Sequence, residues 1–247
     1  TYKNGHINLE RIDNLSRAIS DMVNSGKEVV LVSSGAVSAG FGKLRLKEKP
    51  DNIRETQALS AIGQCELMHI YSKFFGEYSH IVGQILLTRD VLEDEHLKEN
   101  VCNTFELLLK KGVIPIVNEN DSVSYTEIES NDRLFGDNDM LSSVVAVLCR
   151  ASKLVIFSDI DGFYNCDPRL HPDAKLIEEI DKIDDEVYKL AGGAGSRRGT
   201  GGMRTKLQAA ALATSQGIDT IITNGKNPAA LYDIIEGVPV GTKFKAQ

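Results

Sequence analysis

No stretch of this chain approaches the roughly 18 to 20 consecutive apolar residues that a helix needs to cross a bilayer. Its first ten residues are too polar for the apolar core of a signal peptide. Basic residues are in deficit as well: 28 Lys plus Arg stand against 35 Asp plus Glu, a net charge of -7. The whole-molecule field therefore repels nucleic acid and anionic membranes, and an anionic ligand has to be held by local groups. The four cysteines, Cys65, Cys102, Cys149 and Cys166, form no CxxC pair and have no histidine at zinc-finger spacing, which excludes a disulfide framework and a zinc module. Cys65, Cys102 and Cys149 fall within apolar helical patterns and are expected to be buried, reduced thiols. Fixed-period repeats and low-complexity linkers are missing too. Tryptophan is absent, which carries no functional meaning.

The residues that are present come close to the average globular composition: 247 residues, 42% hydrophobic and 26% charged. That length is ample for a buried core, and one α/β domain over residues 1–247 is the simplest organisation. The chain is expected to be soluble and cytoplasmic, with neither nucleic acid nor a membrane as partner.

Leu9, Ile12, Leu15, Ile19, Met22 and Val23 recur at steps of three and four, which predicts an opening helix with Asn8 as N-cap and Gly26 as stop. Residues 28–32 (EVVLV) form an apolar run of the kind buried on both faces of a parallel sheet, and they lead into the small turn Ser33-Ser34-Gly35. Helical patterns follow at 54–75, 97–109 and 141–148, and again through Leu207, Ala210 and Leu212. Strands are expected at 81–87, 113–117, 153–157, 218–223 and 238–240, while 122–135 reads as a polar excursion. Strands and helices alternate almost throughout, which predicts a mostly parallel central sheet covered by helices on both faces, a three-layer α/β/α sandwich.

Ligands of such sheets bind beyond the carboxyl ends of the strands. The Ser33-Ser34-Gly35 turn leaves backbone N–H groups uncovered at a helix start, where the dipole favours an anion, although an ordinary strand-to-helix turn has the same residues. Six of the 21 glycines crowd between Gly192 and Gly202. They run into Met203, Arg204, Thr205 and Lys206, so uncovered amides precede a helix start that carries a cation, as a polyphosphate requires. Neither a P-loop nor a Rossmann fingerprint is present. Asn118 to Asp121 and Gly136 to Asp139 crowd carboxylates and amides into two turns, which suits an ammonium group or Mg²⁺; Asp139 could also be a plain helix cap. Asp159 and Asp161 lack the spacing of an EF-hand. The histidines have no partner at a spacing that suggests catalysis.

Five strings go further: VSSGAVSAG (32–40), IVNENDSV (116–123), FGDNDMLS (135–142), FSDIDGFYNCDPR (157–169) and GTGGMRTKLQAA (199–210). Together, and collinear over almost the whole chain, they resemble the glutamate kinases of the amino acid kinase family. The resemblance implies ATP-dependent phosphorylation of the γ-carboxylate of L-glutamate to L-glutamyl 5-phosphate, the first step of proline biosynthesis, with ATP and Mg²⁺ required. Carried over by position, it implies a glutamate site at Ser34, Asn118, Asp121 and Asn138. It places the nucleotide at Ser158 and Asp159 and on the turn Thr200, Gly201, Gly202, Met203, Arg204, Thr205 and Lys206. Lys206 would stabilise the transferring phosphoryl group and Asp139 would orient it. A homo-oligomer and feedback by proline are further implications.

The family pattern is departed from at both ends. A first strand carrying Lys-x-Gly-Ser/Thr is not found ahead of the opening helix, so residues upstream of Thr1 are expected to be missing and the chain as it stands to be poorly active. The RNA-binding-type PUA domain of many relatives is not found after Gln247. Kinases of the same family acting on aspartate, acetylglutamate or UMP, and a non-catalytic sensor of glutamate or nucleotide, are the alternatives; ADP release and a substrate panel separate them.

Overall fold

The apolar steps that open the chain form α1 (Leu9–Asn24), and Asn8 caps it, its side-chain oxygen accepting the N–H of Arg11 at 3.0 Å. Gly26 turns the chain away with φ +83°, the left-handed conformation that glycine adopts without strain. In the computed structural model, which describes residues 2, 6–48, 52–123, 138–191 and 202–247, the chain divides into two units, Thr1–Asp132 and Arg133–Gln247. In the first, α1 is followed by β1 (Leu31–Val32), α2 (Ala36–Lys43), α3 (Ile53–Glu77), β2 (Ile81–Leu87), α4 (Asp90–Glu93), α5 (Glu95–Lys110) and β3 (Val113–Glu119). The strands lie in the order β1-β3-β2, all parallel, with Leu31 opposite Ile116 and Ile81 opposite Val113. Parallel strands need covered faces, and the middle strand is buried at Ile114, Ile116 and Val117.

Two strands of this unit differ from the apolar pattern. β1 pairs only over its last two residues rather than 28–32, its one neighbour among the described strands being β3. β3 runs two residues beyond 117, because Leu86 and Leu87 of β2 pair with Asn118 and Glu119. Asn118 is therefore a buried strand residue and not part of a turn. Behind the end of β1, α2 and α3 cross at glycines. A Cβ on Gly63 would lie 1.7 Å from the carbonyl oxygen of Ala36, and one on Gly40 would lie 2.0 Å from that of Leu59.

The second unit contains α6 (Asn138–Leu148), β4 (Lys153–Ser158), β5 (Glu179–Ile180), α7 (Asp185–Ala191), α8 (Met203–Thr214), β6 (Asp219–Asn224), α9 (Ala230–Glu236) and β7 (Thr242–Phe244). Its order is β4-β6-β7-β5, parallel except where β6 meets β7. Leu154, Ile156, Phe163, Leu207, Ile222 and Phe244 form its core. The strand expected at 238–240 lies instead at Thr242–Phe244. Gly237, at φ +80°, ends α9, Pro239 has no N–H for a ladder, and pairing starts only after Gly241 at φ +66°.

The four cysteines, all among the described residues, form no disulfide, but the expected burial of Cys65, Cys102 and Cys149 fails: Cys65 is exposed and the others are half-buried. α3 buries the face bearing Leu59, Gly63, Leu67 and Ile70, and Cys65 lies off it. No helix among the described residues is long and apolar enough to cross a membrane. The polar excursion beyond Val123 and the glycine-rich stretch before Gly202 lie outside the described residues, as do Thr200 and Gly201.

Candidate active site

In the first unit the carboxyl ends of β1 and β3 carry the polar residues. Ser33 continues the β1 ladder, its N–H donating to the carbonyl of Val117 at 2.8 Å. Gly35 then turns with φ +98° and starts α2, leaving Ser34 exposed at the turn. The Ser33 hydroxyl shares a buried 2.8 Å hydrogen bond with the hydroxyl of Tyr71 on α3. Burial raises the Tyr71 phenol above its ordinary value, partly offset by that bond. At the end of β3, the Asn118 amide donates to Gln64 Oε1 at 2.9 Å, and Asp121 Oδ2 accepts the hydroxyl of Ser60. Ser60 and Gln64 are both buried residues of α3.

In the second unit, Asp139 is the second residue of α6, inside its first turn rather than at the flanking cap position considered from the sequence. Its Oδ2 meets Lys206 Nζ of α8 at 2.7 Å, with the two side chains only 13% and 12% exposed. The Thr205 hydroxyl also reaches Asp139 Oδ2, at 3.4 Å, and Gly202 O at 2.9 Å. Gly202 precedes α8 in an extended conformation with no side-chain cap and open space where a Cβ would stand, so the amides of that helix start are not covered by a side chain of its own. Met203 packs against the core, whereas Arg204 is exposed and lowers the phenol of Tyr188, which burial raises more strongly. Asn138 begins α6 beside Asp139.

A second polar group closes the ends of β4 and β6, where Ser158 pairs in register with Asn224. The Gly225 N–H donates to Ser158 O at 2.8 Å, and the Asn224 amide donates to Asp161 Oδ1 at 2.6 Å. Asp159 accepts from Ser158 at 3.4 Å and forms an exposed pair with Arg169 at 3.1 Å. Tyr164 donates to Asp161 at 3.3 Å, and burial followed by that carboxylate raises its phenol. A lysine in a shielded ion pair at a helix start, with an uncapped glycine before it, can present positive charge to an oxyanion.

A family model, the amino acid kinase family, matches residues 5–224. The chain belongs to the amino acid kinase family. That family's α/β three-layer sandwich is the architecture expected from the element order. The chain is 62% identical over 247 residues to a glutamate 5-kinase of Clostridium perfringens, covering all of this chain and 91% of that protein. It is 53% identical over 246 residues to a glutamate 5-kinase of Listeria innocua, covering 89% of that protein. Among solved structures, the isopentenyl phosphate kinase of T. acidophilum matches in fold with a TM-score of 0.60 at 18% identity, covering 96% of this chain and 91% of that one.

The structure of this amino acid kinase brings Lys206, Asp139 and Thr205 together, and it sets Asn118 and Asp121 against one helix. Asp161, which the run after β4 puts beside Asp159, joins these groups, and so do Ser60, Gln64, Tyr71 and Asn224, which the sequence alone does not assign to a site. The end of β6 does carry the signal that the other strand ends carry: an apolar pair, Ile221 and Ile222, gives way to the small and polar residues Thr223, Asn224 and Gly225. Ser60 and Gln64 carry a fainter one, two polar residues four apart on a helix whose neighbours are apolar.

Proposed function

We infer that this chain transfers the terminal phosphoryl group of ATP to the γ-carboxylate of L-glutamate, giving L-glutamyl 5-phosphate. The 62% identity to a glutamate 5-kinase over the whole chain carries the inference. The residues suit the chemistry. A glutamate side chain, with an ordinary pKa near 4.3, is already ionised at neutral pH, so the nucleophile needs no general base. The barrier is the approach of two anions, which positioning and charge neutralisation lower.

In the second unit Lys206 gives its cation to the transferring phosphoryl group, and Asp139, paired with it at 2.7 Å, aims it. Ser158 and Asp159 serve the nucleotide, and the turn from Thr200 through Lys206 serves the phosphates. Met203, packed on the core, contributes through its backbone. In the first unit Asp121 pairs with the substrate ammonium, with Asn118 and Ser34 as further glutamate contacts; Asn138 of the second unit is assigned to glutamate as well. An acylated amine has no charge for Asp121 to meet, which disfavours acetylglutamate.

Among the described residues no cluster of three or more His, Cys, Asp or Glu could hold a metal ion. Mg²⁺ is a hard, strongly hydrated ion that takes oxygen ligands, commonly phosphate oxygens and water. When bound, Mg²⁺ neutralises phosphate charge. We also assign a homo-oligomer and proline as a feedback inhibitor, which light scattering and proline titration of the rate would test.

A coupled ADP-release assay with ATP, Mg²⁺ and glutamate tests the function, with aspartate, N-acetylglutamate and UMP as competitors for the assignment. Glutamate-dependent release is expected. Release with one of the other acceptors alone, or thermal stabilisation by glutamate and nucleotide without any release, overturns it.

A further inference from the structure

One face of α3 carries three polar residues, and each is tied to the carboxyl end of a strand. Ser60 donates to Asp121, Gln64 accepts from Asn118 at 2.9 Å, and Tyr71 shares a 2.8 Å bond with Ser33. Steps of four and then seven residues keep all three on one side of a helix. All three are buried, where leaving a polar group unpaired costs free energy. The helix itself cannot drift, because Gly40 and Gly63 press its backbone against that of α2.

A carboxylate at a strand end has two torsions to settle, and an N-terminal cap or a cation commonly settles them. Asp121 has instead a hydroxyl donor from a helix that is fixed by close backbone contact. That bond is what a polar side chain at Ser60 supplies at this depth, and the bond to Asn118 is what one at Gln64 supplies. We propose that Ser60 and Gln64 are positioning residues that set the response to the amino-acid substrate, Ser60 by holding the Asp121 carboxylate and Gln64 by holding the Asn118 amide. This rests on the assignment of Asp121 and Asn118 to glutamate above, and extends it to the two α3 residues that hold them.

Steady-state kinetics of wild type, Ser60→Ala, Asp121→Asn and the double variant test it, with glutamate and ATP varied separately. Ser60→Ala is expected to raise the glutamate KM about tenfold, as loss of one charge-assisted hydrogen bond would, and to leave the ATP KM within about twofold. Added to Asp121→Asn, it should change the glutamate KM by no more than about twofold, because its target is already gone. An unchanged glutamate KM, an equal rise in both KM values, or a full additional tenfold in the Asp121→Asn background overturns the proposal. If Ser60→Ala does not fold, Gln64→Met carries the same test: it keeps the volume, removes the acceptor for Asn118, and should raise the glutamate KM alone. Wild type without glutamate-dependent ADP release would sink the function itself, whereas an active wild type with a silent Ser60→Ala would sink only the positioning role.

Discussion

Lys206 and Asp139 form an ion pair that is largely shielded from water, and such a pair can serve stability or chemistry. The two roles give different signatures. A cation aimed at charge that develops in the transition state lowers kcat when it is removed, and hardly touches ground-state binding of glutamate. Lys206→Ala is therefore expected to lower kcat by about 10² to 10³, the usual cost of one such donor, with the glutamate KM within about twofold. Asp139→Asn keeps the shape and loses the charge that holds Lys206 in place, so it should lower kcat in the same direction by about tenfold. Stopped assays at saturating ATP and glutamate, with Tm measured alongside, separate the cases. A fall in Tm with normal kcat in both variants would make the pair structural.

At the scale of elements, the crossing of α2 and α3 controls where the Ser33-Ser34-Gly35 turn sits. Gly63→Ala would place a Cβ 1.7 Å from a carbonyl oxygen and 2.4 Å from the Gly40 nitrogen, both backbone atoms that cannot step aside. Overpacking of this kind costs roughly 1 to 3 kcal/mol, or about 2 to 12 °C in Tm for a chain of this size. Thermal unfolding by circular dichroism checks the fall. Where β6 meets β7, burial would raise the Asp219 carboxyl. The hydrogen bond from Lys243 and the Ala246 N–H, with the charges of Lys243 and Lys153, outweigh it and hold Asp219 below its ordinary value. A lowered carboxyl stabilises the fold above its unfolded value, near 3.9, and that stabilisation is lost as pH falls through the native value. The Tm gap between wild type and Asp219→Asn should thus be open at pH 7 and close in acid; a gap that stays constant down to pH 3 would refute the linkage. Much of this layer was legible in the sequence: the apolar run at 81–87 is β2, and the spacing from Leu9 is α1 with its Asn8 cap. The displaced last strand was not, because two apolar valines around Pro239 outweighed the missing N–H in the pattern. The polar face of α3 was not legible either. A buried serine or glutamine looks like a surface one until the partner it bonds is known, and those partners, Asp121 and Asn118, are distant in the chain.

For the molecule as a whole, the net charge of -7 opposes both anionic substrates, so their binding free energy has to come from short-range contacts within the fold. Whatever binds the native chain and not the unfolded one stabilises it by linkage, by about 2.7 kcal/mol at a hundredfold excess over Kd. For a chain of this length that corresponds to roughly 5 to 11 °C in Tm. Asp121, assigned to the substrate ammonium, lies in the unit Thr1–Asp132, and the residues assigned to the phosphates lie in Arg133–Gln247. A substitution in the first should therefore remove one ligand's stabilisation and spare the other's. Asp121→Asn is expected to lose most of the Tm increase given by glutamate at the concentration that saturates wild type. It should keep the increase given by ATP with Mg²⁺ to within about 1 °C, since no phosphate contact is touched. Differential scanning fluorimetry across both ligand series reads the two shifts. Equal loss of both would mean that Asp121 supports the fold rather than the substrate, and an undiminished glutamate shift would place the ammonium contact on another residue.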